Sequence, residues 1–461
     1  MQTRLEKDSL GERAIPADAY YGIQTDRAVE NFPISGLKPK PCYIDATVHI
    51  KKAAAKVNRD LKKLDAAIAD AIVTACDEIL KGKLQDWFVV DVYQAGAGTS
   101  HNMNANEVIA NRAIELLGGN KGDYSIVHPN DHVNMAQSTN DVCPTAIRIG
   151  SVLLGQNLVA SLGNLERAFS DKSGEFKNIL KSGRTHMQDA VPITLGQEFG
   201  AYASCIRKHR ENIGIVLDSN RELGIGGSAV GTGLNTHPQY RAMMVEELSA
   251  QLSIEFRKAD DYFEAMQSLR PSVEMSGSIR SLAQDLIRIA NDLRLLSSGP
   301  KTGFAEISLP PLQPGSSIMP GKVNPVAAEM VNMVCFQVFG CDTTILMAAQ
   351  AGQLELNVMM PVVAYNLFHA IEILSNAIDV LTARCIVGIT ADAARCLSYA
   401  ESSMSIVTVL NPHLGYAVAA EIAKEYLASG KSIRQIILER GLMNEEELGK
   451  LFDLQKMTEP Q

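Results

Sequence analysis

Residues 356–384 read LNVMMPVVAYNLFHAIEILSNAIDVLTAR, and their only charges are Glu372, Asp379 and Arg384. A helix apolar on nearly every side has to be buried on nearly every side. The whole chain of 461 residues has an ordinary globular composition, 46% hydrophobic and 21% charged, so this stretch points to the core of a helix bundle. It also points to contacts with other subunits, which would cover apolar surface that one chain leaves bare. Similar long helical patterns occupy about 145–171, 192–223, 273–297 and 325–351. Within the third of these, Leu282, Leu286, Ile289, Leu293 and Leu296 form one apolar stripe. The fourth opens on Asn324-Pro325, a capping residue followed by the residue best tolerated at the first helical position.

Upstream, Ala54, Val57, Leu61 and Leu64 and then Ile68, Ile72, Ala75 and Ile79 recur at helical steps, predicting a helix pair broken near Leu64-Asp65. The first 40 residues read as an irregular lead-in, and the polar, Gly/Asn-rich stretch from Leu84 to Pro144 has loop composition. Beyond about residue 393 the helices shorten, and Asn444 with Glu447 gives a capping-box spacing ahead of Leu448. Strand patterns are few and short. The expectation is a mainly α fold with domains at 1–141, 142–392 and 393–461.

Lys and Arg total 43 against 52 Asp and Glu, a net charge of −9 with no basic stripe, which disfavours nucleic acid as a partner. Eight cysteines contain no CxxC pair, and nine histidines contain no HExxH, so no metal site is called for. The amino terminus lacks the apolar core of a secretory signal, and no uninterrupted apolar run reaches membrane-spanning length. The expectation is a cytoplasmic protein without a membrane partner.

Four polar clusters break the helical text: GAGTSHNMN at 96–104, QSTND at 137–141, GRTHMQD at 183–189 and GSSIMPGKVNP at 315–325. Each also reads as a cap or a turn; together they gather hydroxyl, amide and imidazole donors in turn-rich settings. The last resembles a phosphate-binding loop but fails, because five residues separate Gly315 from Gly321 and Val323 replaces the metal-binding hydroxyl. What survives is a loop with Lys322 and Asn324 at a helix start, where an anion such as a carboxylate is favoured. His49, His209 and His369 fall in helical patterns, whereas His186 lies beside the donors and is the candidate titrating group.

GSSIMPGKVNP is similar to the signature loop of the fumarase/aspartase superfamily of lyases, and GAGT, STND and GRTH match its other site segments in order. The likeness runs from DAYYGIQTDRA near the start into the short C-terminal helices. Ala97 and Thr139, with HPNDHVN, AVPITLGQEF and GQLELNV, resemble the ammonia-eliminating branch. GGSAVGTGLNTHP at 226–238 and His128-Pro129 are closer to the water-adding branch. The resemblance implies a three-domain helical subunit whose central bundle forms a homotetramer, with active sites built from loops of three subunits and no cofactor. It implies a dicarboxylate substrate and reversible deamination of L-aspartate to fumarate through Cβ proton abstraction and an aci-carboxylate. Hydration of fumarate to L-malate is the alternative, and a catalytically silent homologue a third. By the same resemblance Ser316 is the general base. Ser317, Thr99, Ser138 and Thr139 would hold the β-carboxylate, and Thr185, Lys322 and Asn324 the α-carboxylate. Asn140 and His186 would face the amino group, and Glu329 would orient His186.

Overall fold

A computed structural model of the chain describes residues 2–460. Two strands, β1 (Thr3–Asp8) and β2 (Gly11–Pro16), precede α1 (Ile23–Asn31), α2 (Pro41–Asp60), α3 (Ala66–Leu80), α4 (Thr99–Leu116) and α5 (Thr139–Glu175). A second hairpin, β3 (Leu180–Thr185) and β4 (Gln188–Thr194), leads into α6 (Leu195–Ser219), α7 (Tyr240–Leu252), α8 (Tyr262–Gln267) and α9 (Arg270–Leu296). Then come α10 (Val326–Ala349), α11 (Met360–Arg384), α12 (Ala393–Ser402), α13 (Asn411–Leu414), α14 (Tyr416–Ser429), α15 (Ile433–Glu439) and α16 (Glu445–Leu451). The fold is mainly α. The chain divides into two compact units, one holding residues up to Ala160, His209–Ala283 and Val334–Ser375, the other Ser161–Lys208, Gln284–Met333 and the chain from Asn376.

The lead-in is more regular than its composition suggests. β1 and β2 pair antiparallel from Thr3↔Pro16 to Asp8↔Gly11. Arg4 fixes the following chain by donating to the carbonyls of Pro16, Ala19 and Tyr21 at 3.0, 2.7 and 2.6 Å. Ile15, Ala19 and Ile23 supply only a small buried cluster. Side-chain bonds to backbone, rather than apolar periodicity, hold this region, which is why no strand pattern marks it.

A larger departure is α4. The stretch that reads as loop contains an 18-residue helix whose polar side chains face inward. Asn102, Asn104, Asn106, Glu107 and Asn111 are all at most 1% exposed. Burying an amide or carboxylate without partners costs roughly 1–3 kcal/mol or more, and most of these are matched to loop backbone. Asn104 accepts from Val89 N and donates to Trp87 O, both at 2.9 Å. Asn111 donates to Tyr20 O at 2.9 Å and accepts from Gly122 N at 2.7 Å. Glu107 accepts the N–H groups of Gly22, Gln24 and Thr25 at 2.9, 2.9 and 3.1 Å, which ties down the start of α1. The apolar face of α4, including Ala105, Val108, Ile109 and Ile114, joins one core with α2 and α3, and those two helices break between Asp60 and Ala66 as predicted.

The five long helices occur where the periodicity predicts them, with shifted ends. α11 begins at Met360 and not at 356, because Asn357 is a buried connector. Its Nδ2 donates to Ala348 O and Ala349 O, and its Oδ1 accepts from Met359 N. α6 begins at Leu195 because residues 188–194 are drawn into a strand. Packing is close: Ser276 and Arg280 of α9 bind Asp342 of α10 at 2.7 and 2.9 Å, and Phe169 of α5 meets Phe199 and Tyr202 of α6. By length and composition α5 and α10 could each cross a membrane; the apolar window of α5 is mostly buried in the fold, that of α10 much less so. Exposed on α10 are Met333, Phe336, Leu346 and Met347. The C-terminal helices surround a cluster that includes Ile406, Leu410, Ile422, Ile436 and Leu448. The expected capping box is formed, with reciprocal 2.9 Å bonds between Asn444 and Glu447.

Glu107→Ala would leave three N–H groups, those of Gly22 and Thr25 buried and that of Gln24 partly so, without this acceptor. The expected loss is at least ~2 kcal/mol, read as a lower urea midpoint at fixed protein concentration; an unchanged midpoint would show that these contacts do not support the fold.

Candidate active site

Two of the polar clusters are brought together in the first unit. Ala97 N donates to Val358 O at 2.7 Å, and both Ala97 and Gly98 take left-handed backbone angles, φ 60° and 89°. A Cβ on Gly98 would sit 2.7 Å from Cys143 Sγ, so glycine allows this turn to rest against the start of α5. Thr99 then opens α4, with its hydroxyl donating to Gly96 O at 3.2 Å.

Ser138-Thr139-Asn140-Asp141 forms the entry to α5, where the segment caps the helix. Ser138 Oγ accepts from Asn140 N at 3.2 Å, while Asp141 Oδ1 reaches back to Ser138 N at 2.9 Å. Thr139 Oγ1 accepts from Asn102 Nδ2 at 3.2 Å. An oxygen whose lone pair is already occupied by an N–H keeps its own O–H to donate, so both hydroxyls remain available to an anion. Asn140 Nδ2 donates to Ala229 O at 2.9 Å, which leaves its Oδ1 as a free acceptor.

Sequence reading missed the groups that hold this turn. Asp141 is fully buried, and its second carboxylate oxygen accepts from Gly226 N and Ser228 N, each at 2.9 Å. It thereby ties STND to the glycine-rich loop at 226–235. Burial outweighs the opposing pull of its three N–H partners and of Lys51, so its carboxyl is raised to about 6. Lys51 lies in the middle of an apolar-looking helix pattern, and nothing in its spacing distinguishes it from a surface lysine.

The other two clusters belong to the second unit. β3 and β4 pair from Leu180↔Thr194 to Thr185↔Gln188, with a bulge between Ser182 and Arg184. His186 and Met187 form the two-residue tip, both with positive φ, 55° and 62°, as a type I′ hairpin turn requires. Thr185 and His186 are exposed there. Arg184, the second letter of GRTH, is an anchor: its Nη1 meets Glu306 Oε1 at 2.9 Å, and its guanidinium lies 4.2 Å from the Phe304 ring centre. Lys181 completes a buried ion network, with Nζ 2.9 Å from Glu306 and 2.6 Å from Glu198.

GSSIMPGKVNP closes on itself. Gly315 N donates to Lys322 O and Asn324 Nδ2 donates to Gly315 O, both at 2.8 Å. A Cβ on Gly315 would lie 2.3 Å from that Lys322 oxygen, so only glycine fits the neck. Inside the loop, Ser316 Oγ accepts from Ile318 N and Met319 N at 3.2 and 3.0 Å. Two N–H dipoles aimed at one hydroxyl oxygen favour negative charge on it. Ser317 and Lys322 are exposed, and Ile318 at the crest is 83% exposed. Glu329 lies half-buried in the first turn of α10. Within one chain, among the described residues, no hydrogen bond or ion pair joins it to His186.

Loops rich in oriented donors and poor in acids suit an enzyme that stabilises a carboxylate-derived dianion, the task of a carbon–heteroatom lyase. The profile of the lyase family matches residues 11–340, and that of the fumarase C C-terminus matches 406–459. The chain belongs to this lyase family, within the fumarase/aspartase superfamily. It is 50% identical over 457 residues to the aspartate ammonia-lyase of Bacillus subtilis, covering 99% of this chain and 96% of that one. It is 48% identical over 460 residues to the aspartate ammonia-lyase of Escherichia coli K12, with coverage of 99% and 96%. Among solved structures, a cobalt-bound fumarate lyase:delta crystallin of Brucella melitensis superposes with a TM-score of 0.96 at 49% identity, covering all of both chains. A class II fumarase of Schistosoma mansoni reaches the same TM-score at 36% identity, covering 99% of each.

Glu306→Ala removes the carboxylate that Lys181 and Arg184 share. Breaking a buried pair on one side costs ~3–5 kcal/mol, so the melting temperature should fall and turnover with it; unchanged melting would mean that the hairpin is held by other contacts.

Proposed function

We propose that the protein catalyses the reversible deamination of L-aspartate to fumarate and ammonia. The observation that carries this is full-length identity of 50% to an aspartate ammonia-lyase, against 36% to a class II fumarase. The orientation of Asn140 supports it. With its Nδ2 fixed on Ala229 O, Asn140 offers a carbonyl oxygen, the complement of an ammonium group.

In the proposed mechanism the Ser316 alkoxide removes a Cβ proton, and the electron pair passes into the β-carboxylate as an aci-carboxylate. The pair then returns to form the double bond as the C–N bond breaks and ammonia departs. A free serine is far too weak an acid for this role, and the two N–H groups on Ser316 Oγ, with closure of the loop and Lys322, act to lower its pKa. Thr99, Ser138, Thr139 and Ser317 hold the β-carboxylate, where each well-placed donor contributes ~3–4 kcal/mol in the transition state. For Thr99 this needs a rotation away from Gly96 O, whereas Asn324, assigned with Thr185 and Lys322 to the α-carboxylate, keeps a second Nδ2 N–H to donate while the first holds Gly315 O. His186, positioned by Glu329, faces the leaving amine.

We further infer that the enzyme is a homotetramer in which loops from three copies complete each site. The exposed apolar side chains on α10 support this, as does the absence of a His186–Glu329 contact within one chain among the described residues. The eight unpaired cysteines suit a reducing cytoplasm. Hydration of fumarate is the second reading, favoured by the fumarase-like glycine-rich loop at 226–238.

Parallel assays decide between the two: fumarate should form from L-aspartate and, in the presence of ammonia, be consumed, whereas preferential conversion of L-malate would reverse the assignment. Ser316→Ala should lower kcat by at least a thousandfold with the oligomer intact; near-normal turnover would reduce the serine to a hinge. Lys322→Ala should raise KM for L-aspartate at least tenfold, and unchanged KM and kcat would remove the lysine from the site.

A further inference from the structure

Lys51 of α2 is completely buried, and all three of its N–H bonds meet neutral amide oxygens. Asn102 Oδ1 lies at 2.7 Å, Asn134 Oδ1 at 2.8 Å and Gln137 Oε1 at 2.9 Å. Among the described residues no carboxylate forms an ion pair with it. Three acceptors match an ammonium; a neutral amine would turn its lone pair towards one of them. A buried charge without a counter-ion is expensive, so its position relative to the donor turn matters.

The three amides all lead to that turn. Asn102 Nδ2 donates to Thr139 Oγ1 at 3.2 Å and to Asn134 Oδ1 at 3.3 Å. Asn134 Nδ2 donates to Gln137 O at 3.2 Å, and Gln137 Nε2 to Val133 O at 3.0 Å. The ammonium is therefore one amide, Asn102, removed from the Thr139 hydroxyl, and it is bonded to Gln137, the residue before Ser138.

We propose that Lys51 is a positioning residue of the lyase: its caged ammonium orders residues 134–139 and supplies positive charge that the substrate dianion completes from the other side. The proposal rests on the assignment of Ser138 and Thr139 to a carboxylate. Burial brings Lys51 down to about 7, with the thiol of Cys143, the carboxylate of Asp141 and the thiol of Cys76 acting in the opposite sense. The neighbouring imidazole of His101 is held neutral, its own pKa pushed down to about 3 by burial and by Lys51. Asp141 is turned away onto backbone N–H groups, which leaves an arriving dicarboxylate as the missing counter-charge.

The test uses the assembled enzyme and succinate, an unreactive dicarboxylate, titrated by calorimetry. Lys51→Met should raise the succinate Kd, and the KM for L-aspartate, at least tenfold. Should that variant fail to fold, two others decide. Asn134→Asp keeps an oxygen for Lys51 but neutralises its field, whereas Asn134→Ala removes more contacts and adds no charge. The charge role predicts that Asp weakens succinate binding at least tenfold more than Ala does. Equal losses, or a larger loss for Ala, would reduce Lys51 to a structural residue, as would tight succinate binding by Lys51→Met. A wild-type protein that binds no succinate and converts neither L-aspartate nor L-malate would remove the functional reading and this proposal together; one that binds succinate while Asn134→Asp binds it equally well removes only the role of Lys51.

Discussion

Buried polar side chains that substitute for backbone partners are the constraint on which the donor loops depend. In α4 the asparagines and Glu107 bond to the chain at Tyr20, Gly22, Gln24, Thr25, Trp87, Val89 and Gly122. Those segments form few backbone ladders of their own and could not remain buried otherwise. The helix gives up part of its apolar face in exchange. A core of this kind is directional, because each amide accepts on one side and donates on the other, so the loops are fixed in orientation as well as in place.

The same economy appears in the site segments, where one residue both folds the chain and presents a group. Ser138 caps α5 through its lone pair and keeps its proton. Thr139 is oriented by Asn102, and Asn140 by Ala229. In GRTH, Arg184 is bonded into a buried ion network while Thr185 and His186 stand at the tip of a tight turn. In the signature loop the bonds joining Gly315, Lys322 and Asn324 make the segment a closed unit, so that motion would carry Ser316 and its two N–H partners together.

Apolar periodicity made the long helices legible, because their burial is decided by which residues recur at three- and four-residue steps. α4 was not legible in that way: its asparagines carry the composition of a loop, and only their pairing with distant backbone turns them into core. The hairpin β1–β2 was hidden for a related reason, being held by Arg4 and its carbonyls rather than by alternating apolar residues. The four donor clusters stood out because Gly, Ser, Thr and Asn interrupt helical text. Lys51 lies outside them and did not stand out, and the roles of Asn102 and Asp141, although both belong to the clusters, were hidden because each acts through partners far away in sequence. The family resemblance supplied roles for the exposed residues, whereas the geometry supplies the reasons why they point as they do.

Filling the lone pairs of Ser138, Thr139 and Ser316 from within the protein has a chemical consequence. A serine in water exchanges partners freely, so an arriving carboxylate must compete with solvent for its proton. Here Ser138 and Thr139 each accept from an N–H group, which leaves their O–H groups for the carboxylate that we propose they hold. On the proposed assignment their orientation is fixed during folding, so little reorganisation would remain when charge develops on the substrate. At Ser316, in the mechanism we propose, the same arrangement would act in the opposite sense, with the two N–H groups stabilising the oxygen after its proton has gone. One device, a hydroxyl held by backbone or amide N–H, thus recurs in the two units, with one N–H at Ser138 and at Thr139 and two at Ser316; in the mechanism we propose, loop closure and Lys322 add to those two in lowering the pKa of Ser316.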